Sequence, residues 1–227
     1  MPSPRSTGER RTPRGPHAPR VTAPDLPARF DGDADLAPRA DLIGVRLRAT
    51  GDVVSDAHGR IAESRLDEAS VTRLDLTGAT LVDVAITGVR AAELVCRDGA
   101  WRSVEIAGGR IGTLDGLRAA WDAVVLRGLR IDYLSLPSAT IVDALVVDCE
   151  IGTLDVPEAR LDRVRFENTR VDEVDTRGVR ADDLDLRGLE AVSFTDVRAL
   201  SGAWLEPRQA ELHAVAFAEA LGIGVTG

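Results

Sequence analysis

Residues 71–90 read VTRLDLTGATLVDVAITGVR, and apolar side chains return in them on a count of five. Val71, Leu76, Leu81 and Ile86 form one series; Leu74, Ala79, Val84 and Val89 form a second, offset by three. Neither a helix of 3.6 residues per turn nor a straight strand of period two puts such a set on one face. Inward, outward, inward is strand geometry over three residues. Five is odd, however, so a straight strand would throw the next pair to the wrong side. A corner every five residues resets the phase, and four corners return the chain over its own start. The spacing predicts a square coil.

The coil length shows in the columns. Cut at 20 residues from 71, Leu74, Leu94, Leu114, Leu134, Leu154, Val174 and Phe194 share one large slot. Ala79, Gly99, Ala119, Ala139, Ala159, Val179 and Ala199 share a small one, and Gly88, Gly108, Gly128, Asp148, Asn168 and Gly188 a third. Gly, Asn and Asp tolerate positive φ, so the third column predicts one stacked left-handed corner; the other three corners lack that composition. Trp101 and Trp121 fall in a slot filled elsewhere by Leu81, Ile141 and Leu161, and the preceding inward positions shrink to Cys96 and Gly99, then to Gly116 and Ala119. Constant core volume predicts that both indoles point inward. Cys96 and Cys149 lie in the second and fourth coils, more than ~10 Å apart at ~4.8 Å per coil. That is too far for a disulfide, so both are expected as free, buried thiols.

Four segments follow. Residues 1–29 carry seven prolines, six arginines and two acids, a composition expected to be disordered. Residues 30–70 read as irregular N-terminal coils: ADLIGVRLRAT at 40–50 repeats the motif one residue out of phase. Residues 71–206 are the regular rod, ending where Asp196, Ser201 and Glu206 replace apolar groups. Residues 207–227 start a capping helix at Pro207 and stop it at Gly222. Leu212, Val215, Ala216 and Leu221 are expected to cover the open end, as a solenoid requires, with Phe217 off that face and free to meet a second copy.

The chain resembles the pentapeptide-repeat family, signature A(D/N)LXX, through Ala40-Asp41-Leu42-Ile43-Gly44, Ala79-Thr80-Leu81-Val82-Asp83, Ala139-Thr140-Ile141-Val142-Asp143 and Ala159-Arg160-Leu161-Asp162-Arg163. The resemblance implies an all-β, right-handed quadrilateral β-helix; handedness comes from it and not from the period. A leucine-rich repeat is the rival fold, since VTRLDLTGATL fits LxxLxLxxNxL, but no Asn column accompanies it.

The family's best-known members bind DNA gyrase as duplex mimics, which implies a type II topoisomerase as one partner and a homodimer through the C-terminal end as one assembly. The net charge of −9 becomes −13 beyond residue 29, with 22 arginines against 35 acids and no lysine, which disfavours direct nucleic-acid binding. Asp75, Asp115, Asp155 and Asp175 share one outward column and Asp83, Asp143 and Asp183 another; together they form the candidate interaction surface. Arg90, Arg110, Arg130 and Arg170 form a neighbouring candidate anion ladder, interleaved with Glu150 and Glu190. Mixed charge of this kind also suits an ordinary solvated sheet, so a scaffold of unspecified protein partner stands beside the mimic. His17, His58 and His213 fall in tail, first coil and cap, and no phosphate loop, HExxH or serine elbow occurs. No catalytic residue, cofactor or metal is expected. No apolar run nears 18 residues, and there is no secretory h-region, which points to a cytoplasmic location.

Overall fold

The computed structural model describes residues 15–226. Its strands are all parallel and belong to one 15-stranded sheet wound on itself. The core of that winding is a set of 16-residue strands, Thr80–Val95, Ala100–Asp115 and Ala120–Ser135, each bending through corners without leaving the sheet. Successive coils pair with an offset of 20: Leu81 opposite Trp101, Trp101 opposite Trp121, Trp121 opposite Ile141, Ile141 opposite Leu161. At the N-terminal end Leu42 pairs with Ile61 and Leu47 with Leu66, an offset of 19. This is the one-residue slip visible in residues 40–50.

The inward slots fill a single continuous core. Leu74, Leu94 and Leu114 are fully buried, and Ile131, Trp101 and Trp121 are at most 3% exposed. The two indoles stack with centroids 5.5 Å apart and planes 10° from parallel. Their neighbours are small of necessity: a Cβ on Gly99 would come within 3.3 Å of the Trp101 Nε1, and one on Gly116 within 2.6 Å of a Leu136 methyl. Cys96 and Cys149 are both free and buried, and burial pushes both thiols above their ordinary range.

The corners depart from expectation. Gly88, Gly108, Gly128, Asp148 and Asn168 are left-handed as the column predicts, though Gly188 is not. Two further corners are left-handed as well. One runs His58, Gly78, Asp98, Arg118, Ser138, Glu158, Gly178; the other runs Glu63, Asp83, Ser103, Ala123, Asp143, Arg163, Asp183, all with φ between 42° and 67°. The αL conformation costs a residue with a Cβ ~1–2 kcal/mol. Here the stacked parallel ladders above and below hold each corner in place, so residues without a glycine-like composition accept it.

Strand pairing runs to Phe194, and a 3₁₀ turn at Val197–Leu200 then lays Leu200 over the bore. The expected C-terminal helix does start at Pro207, but it breaks at His213 into α1 (Pro207–Leu212) and α2 (Ala214–Ala220), with Gly222 at φ 79° just beyond. No helix among the described residues is long and apolar enough to cross a membrane.

Candidate interaction surfaces

The column Asp75, Asp115, Asp155, Asp175 stands immediately before one left-handed corner, and its carboxylates are used by the turns themselves. Asp75 accepts the Thr77 amide at 3.0 Å, Asp115 the Leu117 amide at 3.2 Å and Asp175 the Arg177 amide at 3.1 Å. This Asx arrangement replaces a main-chain partner two residues on. At Asp155 the residue two further on is Pro157, which has no N–H; that carboxylate accepts instead from the Tyr133 hydroxyl at 2.9 Å and the Ser135 hydroxyl at 3.2 Å. Arginines close over the same groups: the Arg97 Nε reaches Asp115 at 2.7 Å and the Arg177 Nε reaches Asp175 at 2.9 Å. Burial works to raise the Asp75 carboxyl, but the Thr77 hydroxyl and amide and the Arg73 guanidinium outweigh it and hold it low. At Asp175 the Arg177 hydrogen bond is the main cause of a lowered value.

The column Asp83, Asp143, Asp183 occupies a left-handed corner two positions past an inward side chain. Asp143 is 6% exposed and is gripped by Arg163 through Nε at 2.6 Å and Nη2 at 2.8 Å. This pair holds the Asp143 carboxyl well below its usual range. The column also meets the N-terminal segment. The amide of His17 donates to Asp183 at 3.1 Å, that of Arg20 to Asp143 at 2.9 Å and that of Asp25 to Asp83 at 3.1 Å, and the His17 Nδ1 lies 2.7 Å from Asp183 Oδ2. Residues 1–14 of the expected disordered tail lie outside the described residues. Residues 15–29 form no strand or helix, but they lie along the rod. Carboxylates spaced by the coil rise supply the partners that composition alone did not reveal.

The candidate anion ladder is exposed and locally neutralised. Arg110 meets Asp132 at 3.1 Å, Arg130 meets Glu150 at 3.4 Å and Arg170 approaches Asp172 at 3.6 Å; Arg90 is exposed beside them. Exposed pairs of this kind contribute ~0–1 kcal/mol each, so their main effect is on the surface field.

The cap reverses the expected faces. Leu212, Val215 and Leu221 are 70%, 52% and 78% exposed, whereas Phe217 packs against the core. The face that docks is the one carrying Gln209, His213 and Phe217. The His213 ring is buried edge-on against Phe194, centroids 5.0 Å apart, and against Phe217 at 6.5 Å. Gln209, His213 and Phe217, four residues apart, share the face turned to the rod, and the i to i−4 bonds run through His213, so Leu212 and Val215 fall on the outer face. Gln209 fastens α1 to the last coil by donating from Nε2 to the Leu186 and Leu189 carbonyls at 2.7 and 2.6 Å. Between this helix and the coil lies a cleft of about 440 Å³ bordered by Arg170, Phe194, Arg208 and His213. His17, His58 and His213 occupy the N-terminal segment, a corner and the cap, and do not converge.

Parallel coils of four five-residue sides around an apolar bore define the fold as a quadrilateral β-solenoid of the kind that pentapeptide repeats build. No family model matches the chain, and no curated protein matches it. A trypsin-treated form of QnrB1, a plasmid-mediated fluoroquinolone resistance protein, is similar over 86% of this chain and 99% of its own, at 16% identity and a TM-score of 0.27. The fold assignment rests on the coils themselves.

Proposed function

We propose that the chain is a non-enzymatic protein-binding scaffold whose C-terminal end is a contact surface. The observation that carries this reading is the exposure of Leu212, Val215, Leu221, Ile223 and Val225, each between 48% and 78% accessible, within one short terminal segment. Monomeric proteins rarely leave large apolar groups grouped in this way, and such patches mark association surfaces. A second copy is the simplest occupant, and a different protein is the other. Light scattering is expected to give a dimer at micromolar concentration, and the doubly substituted Leu212→Glu, Leu221→Glu chain a monomer. A wild-type monomer that recovers the same host proteins with and without the two substitutions would overturn the reading.

An acidic duplex mimic that binds a type II topoisomerase is the second reading. The 35 acids against 22 arginines beyond residue 29 favour it. About eight coils at ~4.8 Å give a rod of ~38 Å, close to one ~34 Å turn of duplex. The arginines gripping Asp75, Asp115, Asp143 and Asp175 weigh against it, because they break up the continuous negative field that a mimic needs. A gyrase supercoiling assay separates the two. Inhibition at micromolar protein would favour the mimic, and no inhibition would leave the scaffold.

A further inference from the structure

Three main-chain amides of the N-terminal segment meet three carboxylates of one corner column, and the spacing between them has a physical meaning. From His17 to Arg20 the segment climbs from the Asp183 coil to the Asp143 coil, two coils in three residues. From Arg20 to Asp25 it climbs three coils in five residues. At ~4.8 Å per coil these rises are ~3.2 and ~2.9 Å per residue, close to those of an extended backbone. Pro16, Pro19, Pro24 and Pro27 are all half-buried, as are Val21 and Leu26 between them.

The contacts read backbone more than sequence. His17, Arg20 and Asp25 are themselves exposed; what they give the rod is an N–H each, plus one imidazole nitrogen. No main-chain hydrogen bond of the coils ends on residues 15–29, so the rod keeps its ladders without them. The corner is also built to be met. Arg163 orients the Asp143 carboxylate, and at Ser103 and Ala123, between the Asp83 and Asp143 coils, the same column is small and uncharged.

We propose that the Asp83–Asp143–Asp183 corner is a peptide-binding edge for extended, proline-punctuated segments, and that residues 15–29 are its built-in occupant. The ligand it takes is an extended, proline-containing peptide with free amides at positions n, n+3 and n+8. Because the edge recognises amides and spacing, a peptide of that form competes for it in trans. The edge is separate from the C-terminal end, so this inference stands or falls independently of the scaffold reading.

Two variants of the full chain test it. Arg20→Pro with Asp25→Pro removes two donors while keeping the backbone extended, since each follows an existing proline. Asp83→Ala with Asp183→Ala removes two acceptors at a corner where Ala123 already adopts φ 55°. In the wild type, hydrogen exchange is expected to protect the His17, Arg20 and Asp25 amides, with that protection lost at His17 and Asp25 in the Asp→Ala chain. A fluorescent peptide of residues 15–29 is expected to bind the Pro-substituted chain saturably below about 1 mM, the effective concentration that a tethered segment must match. Binding to the wild type, whose edge is occupied, and to the Asp→Ala chain is expected to be at least about tenfold weaker. Unprotected wild-type amides, absence of binding to the Pro-substituted chain, or equal binding to all three chains would each overturn the proposal. Unchanged Trp101 and Trp121 emission confirms that the rod is intact in every arm.

Discussion

Asp56 illustrates what a single side chain can do in a stacked column. It occupies the inward slot held further along by Leu76, Cys96, Leu136 and Val156, and it is fully buried. Oδ1 accepts the Ala40 amide at 3.2 Å, while Oδ2 has no partner. Burial pushes the carboxyl up to about 6, against the lowering effect of the Ala40 amide. A carboxyl raised above its unfolded value favours the protonated fold. Stability is therefore highest below about pH 4 for this group, falls as pH rises towards 6 and is level above. Asp56→Asn is expected to stabilise the chain above pH 6 by on the order of 2 kcal/mol and to flatten that slope; denaturant midpoints between pH 4 and 7 check it. Residues 53–67 in fact pair with 73–87 at an offset of 20; the polar residues Asp56 and Ser64 in inward slots made that register look loose and hid the carboxylate. The inward Trp101 and Trp121 were legible, since each sits over compensating small residues. The left-handed corners at Ala123 and Arg163 were not: an L side chain carries no mark of a φ imposed by its neighbours.

Among the elements, the strands were the most readable and the terminal segments the least. Five-residue spacing prescribes inward and outward faces directly, and the observed register of 20 follows from the columns. The cap docks by a face, Gln209, His213 and Phe217, whose two polar members do not read as core, so Phe217 and Leu212 exchanged roles. The N-terminal segment depended on partners distant in the chain. Its proline content favours an extended backbone, but nothing in the segment names the carboxylates it meets. For α1 the decisive contact is Gln209, whose amide satisfies two carbonyls of the last coil. Gln209→Ala removes both donors from groups that the helix partly shields. It is expected to cost about 1–3 kcal/mol and to speed amide exchange in α1 and α2 while the central coils are unaffected. Uniform acceleration through the rod would show that the cap is not fastened there.

At the scale of the whole molecule, each coil touches only its neighbours, so stability is a sum of local terms and interfaces. The polar groups in inward slots lie towards the two ends: Asp56 and Ser64 below, and Thr169 and Thr176 above, the Thr176 hydroxyl donating to the Asp196 carbonyl at 2.6 Å. Loss of structure is expected to begin at these ends and reach the second and third coils last. The candidate surfaces were legible as columns of charge but not as chemistry, because whether an aspartate faces a partner or its own turn depends on where the next N–H lies. Asp155, displaced onto Tyr133 by Pro157, shows how one residue decides it.

Trp101 and Trp121 belong to adjacent coils and lie face to face, 5.5 Å apart, in the buried interior. Two identical chromophores at that separation couple their electronic transitions, and parting the coils by even a few ångströms uncouples them. The fold thus contains its own optical gauge of whether its middle is still zipped, readable by ultraviolet circular dichroism without any attached dye.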